Sequence, residues 1–207
     1  MIGRFIAGKF RDPTGVFGRM AGAMMARGNK TEQEWTIALL DIRPDDHILE
    51  IGFGPGVAIS LAAEKAVRGH VSGIDASETM RRVAGRRNAA AIRSGLVDLR
   101  HAEVSSLPYP DAAFDKAFAV HCIYFWPRPV EALQEVRRVL KPGGSLAVTI
   151  MPKDKWPPQR LPPSDLYTLY SGLEVARLLT TAGYEKVRVE GCPYPDQFPG
   201  QCVLGSR

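Results

Sequence analysis

The segment His47-Ile48-Leu49-Glu50-Ile51-Gly52-Phe53-Gly54-Pro55-Gly56 constrains this chain more than any other part of it. Its first half is a short apolar run of strand length; its second half places three glycines at alternate positions, ahead of a helix predicted over 56–67. Glycine at such a turn admits positive φ and lets a ligand approach the main chain without Cβ atoms in the way. The same turn directs backbone N–H groups toward the carboxyl ends of the strands, where open α/β sheets bind their ligands. Ordinary tight turns use glycine too, so a second signal is needed.

The rest of the chain supplies the frame. From His47 onward, short apolar runs alternate with helix-length amphipathic stretches, the pattern of an α/β sheet with helices on both faces. Strands are predicted at 47–52, 70–75, 97–101, 114–121, 144–151, 186–191 and 201–206. Between them, helices are predicted at 56–67, 77–94, 128–140 and 171–182, with Ser77 and Ser171 as N-caps and Gly183 as a C-terminal stop. Residues 15–28 and 31–42 read as two further helices, separated by Gly28-Asn29 and ended before Pro44, that cap the ligand end of the sheet. Pro152, Pro157, Pro158, Pro162 and Pro163 exclude a regular helix or central strand over 151–164 and predict a connecting loop or lid. With 207 residues and 45% hydrophobic content the chain has room for one core. It divides into a cap (1–43), a cofactor-binding half (44–150) and a remainder of loop and sheet (151–207).

Asp75 is the second signal. It ends the apolar strand Val71-Ser72-Gly73-Ile74 and follows Gly56 by 19 positions, about where an acid accepts hydrogen bonds from a ribose. Asp75 could instead cap the following helix, but Ser77 can supply that cap. Together the turn and the acid predict an adenosine-bearing cofactor. A dinucleotide site expects Gly-x-Gly-x-x-Gly, whereas here the glycines run Gly-x-Gly-x-Gly and Val57 follows Gly56.

The string Leu49 to Gly56, Glu50 included, resembles the first motif of class I S-adenosylmethionine-dependent methyltransferases. Gly73-Ile74-Asp75-Ala76-Ser77 is similar to that family's second motif, and the run from Glu103 to Asp115 to its third and fourth. The run from Glu131 to Gly144 is similar to the helix and turn before its fifth strand, and a weaker likeness continues through Leu178 to Tyr184. Leu107-Pro108-Tyr109-Pro110-Asp111 and Leu140-Lys141-Pro142-Gly143-Gly144 resemble the ubiquinone/menaquinone-biosynthesis branch of small-molecule enzymes. The resemblance implies a Rossmann-like seven-stranded sheet, mostly parallel with the last strand antiparallel. It also implies S-adenosylmethionine as cofactor, bound by Glu50, Gly52, Gly54, Gly56, Asp75, Ala76, Glu103, Val104 and His121. In family terms Gly52 and Gly54 lie beside the amino-acid part, Asp75 holds the ribose, Ala76 lies against the adenine, and Glu103 with Val104 borders it. Glu103 replaces the family's usual Asp and lengthens that contact by one methylene.

The methylated acceptor is a separate question. An O–H or weakly acidic N–H nucleophile needs a proton removed, and His121, ending the fourth strand, is the candidate base; its alternative is a wall of the methionine pocket. Cys122 adjoins it, but consecutive strand residues point to opposite faces, which excludes a Cys/His pair. Tyr124, Phe125, Trp126, Trp156, Tyr167 and Tyr170 are candidate acceptor-pocket aromatics. Enzymes that methylate exocyclic amines of DNA carry Asp/Asn-Pro-Pro-aromatic after this strand; His121-Cys122-Ile123-Tyr124 departs from it.

Three cysteines without a Cys-x-x-Cys pair indicate neither a disulfide framework nor a metal site. A net charge of +5 does not demand a nucleic acid, and Arg81, Arg82, Arg86, Arg87 and Arg93 read as a solvated helix face. The reading is therefore a cytoplasmic enzyme with a small-molecule acceptor. Alternatives are an RNA or protein methyltransferase using the basic N-terminal region, and a non-catalytic S-adenosylmethionine-binding protein. Residues 2–11 offer a weak membrane-surface contact, no transmembrane segment is read, and a homodimer is as open as a monomer.

Overall fold

The structure is a computed structural model that describes residues 30–156, 167–194, 196 and 199–207. The helix expected at 15–28, the surface segment 2–11, and Pro157, Pro158, Pro162 and Pro163 of the expected lid lie outside these residues.

Seven strands form one sheet: β1 His47–Ile51, β2 His70–Asp75, β3 Val97–His101, β4 Phe114–Val120, β5 Leu140–Ile150, β6 Glu185–Gly191 and β7 Gln201–Ser206, ordered β3-β2-β1-β4-β5-β7-β6. The pairs from β3 across to β5 are parallel, and β7 runs antiparallel to both β5 and β6. The last strand is thus inserted between β5 and β6. The helices are α1 Lys30–Leu40, α2 Val57–Lys65, α3 Glu78–Arg87, α4 Ala89–Arg93, α5 Pro129–Val139 and α6 Gly172–Thr181.

Two apolar layers flank the sheet. On one face Ile48, Val71, Phe118 and Leu204 pack with Trp35 and Ile37 of α1, Ile59 and Ala62 of α2, and Met80 and Ala84 of α3. On the other, Leu49, Ala117, Leu146 and Val203 pack with Leu133 and Val136 of α5 and Val175 and Leu179 of α6. Alternation along β1 sends Ile48 and Leu49 to opposite layers, as a strand buried on both faces requires. Strand order reverses between β1 and β4, and this switch point opens the ligand crevice at the strands' carboxyl ends.

The expected caps are present. The Ser77 hydroxyl accepts from Met80 N–H, and Ser171 with Glu174 forms a reciprocal capping box at the start of α6. Two expectations change. The helix predicted over 77–94 breaks at Asn88, whose backbone leaves helical geometry between α3 and α4. The fourth strand ends at Val120, because His121 adopts φ 56° and turns the chain off the sheet. Among the described residues, no helix is long and apolar enough to cross a membrane.

Candidate active site

The cleft at the switch point has a volume of about 570 Å³ and is lined by the glycine turn, the ends of β2 and β4, the segment after β3, and Gln33 of α1. Glu50, Gly52, Gly54, Asp75, Ala76, Glu103, Val104 and His121 all line it. Segments more than 70 residues apart in sequence therefore converge on one space, as the parallel pairing of β1 with β2 and β4 dictates.

The turn is built by hydrogen bonds to its neighbour strand. Gly52 N–H donates to the Ile74 carbonyl at 2.8 Å, and Gly54 N–H donates to the Asp75 carboxylate at 2.8 Å. Gly54 has φ 50°, and a Cβ built there meets no protein atom within 4 Å, so this position needs glycine for its backbone and leaves its open side to the cleft. Gly56 differs. It does not line the cleft, and an added Cβ would lie 2.6 Å from Ala84 Cβ, so its glycine serves the close approach of the turn to α3 rather than direct contact with a ligand.

Behind the turn stands a set of contacts with no sequence signal. Buried Asn88, at the break between α3 and α4, donates to the carbonyls of Gly56 and Ala84, each at 3.0 Å, and accepts from the Ser60 hydroxyl at 2.7 Å. Arg87 Nε donates to the Pro55 carbonyl at 2.9 Å. The arginine cluster is therefore only partly a solvated face: Arg81 and Arg82 pair with Glu78, while Arg87 holds the turn.

Asp75 accepts from Gly54 N–H and, through its other oxygen, from Ser77 N–H at 2.8 Å. Burial raises its pKa, while these two amides and His101 pull it back. A carboxylate has about four acceptor positions, so two amides leave room for ligand hydroxyls. His101 has a partner that its sequence context did not announce: its Nε2 lies 2.8 Å from the Ala76 carbonyl and secures the loop after β2.

Glu50 is the most strongly perturbed carboxylic acid of the site. It is 2% exposed, Oε2 has no hydrogen-bond partner among the described residues, and burial, with Asp75 nearby, pushes its pKa up to about 8. A buried carboxylate in this state fits a cationic ligand carrying N–H donors, which would supply both the missing partner and the missing charge. That is the chemistry of the amino-acid end of S-adenosylmethionine.

Across the cleft, His121 Nδ1 lies 3.3 Å from Tyr124 Oη, and that hydroxyl accepts from Met151 N–H at 2.6 Å and donates to the Met151 carbonyl at 3.2 Å. Tyr124, itself fixed by both main-chain groups of Met151, thus holds the His121 ring from its Nδ1 side. Burial lowers the His121 pKa to about 4 and keeps the ring neutral. Tyr124 is thus a buried support of His121 rather than a cleft aromatic; Phe125 and Trp126 line the cleft, Tyr167 packs on Phe125 at 4.6 Å between centroids, and Trp156 meets Tyr124 edge to face.

Cys122 also lines the cleft. The expected separation of His121 and Cys122 onto opposite strand faces does not occur, because both lie past the strand's end. The thiol is unsuited to attack for another reason: Sγ donates to the Ile51 carbonyl at 3.1 Å, and burial pushes its pKa up.

Known proteins carry the same arrangement of sequence. A family model described as a methyltransferase domain matches residues 49–148. The uncharacterized methyltransferase YdaC of Bacillus subtilis is 35% identical over 135 residues, covering 65% of this chain and 72% of that protein. The demethylmenaquinone methyltransferase of Symbiobacterium thermophilum is 40% identical over 112 residues, 52% of this chain; the match spans only 43% of that enzyme's length. In fold, a SAM-dependent methyltransferase from Aquifex aeolicus superposes with TM-score 0.73 over 98% of this chain and 97% of its own, at 22% identity. The glycine turn joined to Asp75, the uncompensated Glu50 and these relatives agree: the chain belongs to the S-adenosylmethionine-dependent methyltransferases.

Proposed function

We propose that this chain methylates a small, largely apolar acceptor bearing a hydroxyl or a heteroaromatic N–H. The observation that carries the reading is the asymmetry of the cleft, with buried Glu50, half-buried Asp75 and the glycine turn at one side and a neutral histidine beside Phe125 and Trp126 at the other. Its volume of about 570 Å³ suits small-ligand recognition. The relative that acts on demethylmenaquinone supports an apolar ring acceptor.

In this reading Asp75 accepts the ribose hydroxyls on the positions that Gly54 and Ser77 leave open. Ala76 and Val104 flank the base, Glu103 accepts from its amino group at the rim, and Glu50 with Gly52 and Gly54 borders the amino-acid part. Bound S-adenosylmethionine supplies an electrophilic methyl group for in-line displacement. His121 accepts the acceptor's proton, and Tyr124 holds its ring in position. Phe125 and Trp126 exclude water and orient the acceptor, and near-contact alignment contributes much of the rate. Helix α1 contributes Gln33 to the wall of the cleft.

Calorimetry with S-adenosylmethionine, S-adenosylhomocysteine and NAD tests the cofactor half. Micromolar binding of the first two, about −8 kcal/mol, is expected, and NAD should not bind. Labelled methyl transfer into fractionated extracts tests the acceptor half. Label recovered in RNA or protein, with none in small molecules, overturns it.

A further inference from the structure

We propose that Gln33 of α1 is a binding residue for the amino-acid end of the methyl donor, where its side-chain oxygen and the Glu50 carboxylate together accept the hydrogens of an α-ammonium group. The inference rests on the cofactor reading above and adds to it a residue outside the motif-bearing segment from His47 to Gly144.

Buried side-chain oxygens that have no hydrogen-bond partner among the described residues include Gln33 Oε1 and Glu50 Oε2, and both residues line the cleft. Gln33 is 6% exposed. An unpaired buried acceptor is destabilising, and two around one cleft are relieved together if a ligand brings the donors.

The fold brings the two residues to the same face of the sheet. Glu50 alternates with Leu49 and Ile51 on β1 and so shares the face of Ile48, which packs in one layer with Trp35 and Ile37 of α1. The backbone amide of Ile59 on α2 stabilises the Glu50 carboxylate, and α1 packs on α2, β4 and β5. Helix α1 is pinned one turn beyond Gln33: Thr36 Oγ1 meets Thr149 Oγ1 of β5 at 2.6 Å, and the Thr149 carbonyl accepts His121 N–H at 3.0 Å. Gln33 therefore enters from the β4–β5 side, while Asp75 stands on β2 beyond β1. A ligand whose ribose lies at Asp75 turns its far end toward Glu50 and Gln33.

The acceptors select the group. A carboxylate or phosphate has no hydrogens to give to these oxygens and would oppose the ionisation of Glu50, and a hydroxyl has one hydrogen and no charge. An ammonium has three N–H donors and a positive charge, enough for both oxygens.

The test is calorimetry on the full chain with S-adenosylhomocysteine and with its deamino analogue, for the wild type and Gln33→Leu. Wild type should prefer the amino-bearing ligand. Gln33→Leu should weaken S-adenosylhomocysteine about tenfold, or about 1.4 kcal/mol, and leave the deamino analogue within about twofold, which also shows that the variant is folded. Equal wild-type affinity for the two ligands overturns the inference, as does an unchanged affinity of Gln33→Leu for S-adenosylhomocysteine or an equal loss for both ligands. Failure of the wild type to bind either ligand overturns the cofactor reading itself.

Discussion

The main-chain N–H of Gly54 donates to the carboxylate of Asp75 at 2.8 Å, so the glycine turn after β1 and the acid that ends β2 are one hydrogen-bonded unit. The same carboxylate accepts from Ser77 N–H, which ties the start of α3 to it as well. Asp75→Asn replaces one acceptor with an NH₂ group facing a donor. The expected loss is about 1–3 kcal/mol of stability, a fall in melting temperature of several degrees, with a tenfold or greater loss of S-adenosylhomocysteine affinity. Thermal melts and calorimetry on the same sample check both.

Glu50 links stability to pH with a definite sign. Its folded pKa, about 8, stands above the ordinary 4.5, so the ligand-free fold holds a proton that the unfolded chain releases, and stability falls as pH rises from about 4.5 to 8. Glu50→Gln removes that penalty. The ligand-free variant should melt higher than wild type at pH 8 and nearly the same at pH 5, while binding S-adenosylhomocysteine more weakly. A variant that melts lower than wild type at pH 8 would contradict this reading.

The same group gives binding a pH dependence. A cationic ligand favours the ionised carboxylate, so affinity should increase from pH 6 to 8 and binding at pH 7 should release a proton. Calorimetry in buffers of different ionisation enthalpy measures that proton, and Glu50→Gln should abolish it.

His121 is neutral above about pH 4, because burial holds its pKa there. If it is the base, turnover should show no acid limb near pH 6.5 and should decline only as pH falls toward 4. His121→Gln should lower turnover by about 10²–10⁴ with S-adenosylhomocysteine affinity unchanged. Tyr124→Phe, which removes the hydroxyl beside Nδ1, should produce a smaller loss of the same kind.

Asn88 bonds Gly56, Ala84 and Ser60 at once, and Arg87 reaches Pro55 from a more exposed position. Asn88→Ala should cost about 1–3 kcal/mol, because it leaves buried partners unpaired. Arg87→Ala should cost less than about 1 kcal/mol. Chemical denaturation of the two variants, measured side by side, tests the order.

The strands and helices were legible wherever period and punctuation agreed. Ser77, Ser171 and Gly183 marked helix ends because capping chemistry is local. The break at Asn88 was not legible, since nothing in Arg86-Arg87-Asn88-Ala89 interrupts a helical pattern; its side chain is drawn away by a carbonyl 32 residues earlier. Likewise the apolar pattern predicts His121 within a strand, because a left-handed φ at a non-glycine residue carries no sequence signal.

What the sequence alone determined was the strand–turn–helix unit at Glu50 to Gly56 and its partnership with Asp75. Both follow from chain-local rules: glycine's backbone freedom, strand period, and the spacing of one parallel unit. Only the tertiary structure decided that Gly56 serves packing on α3, that Tyr124 supports His121 through Met151, and that Gln33 faces the cleft with Glu50. Those relations join side chains on elements far apart in the chain, and which of them meet is fixed by how helices pack on the sheet, a matter on which local pattern carries no information.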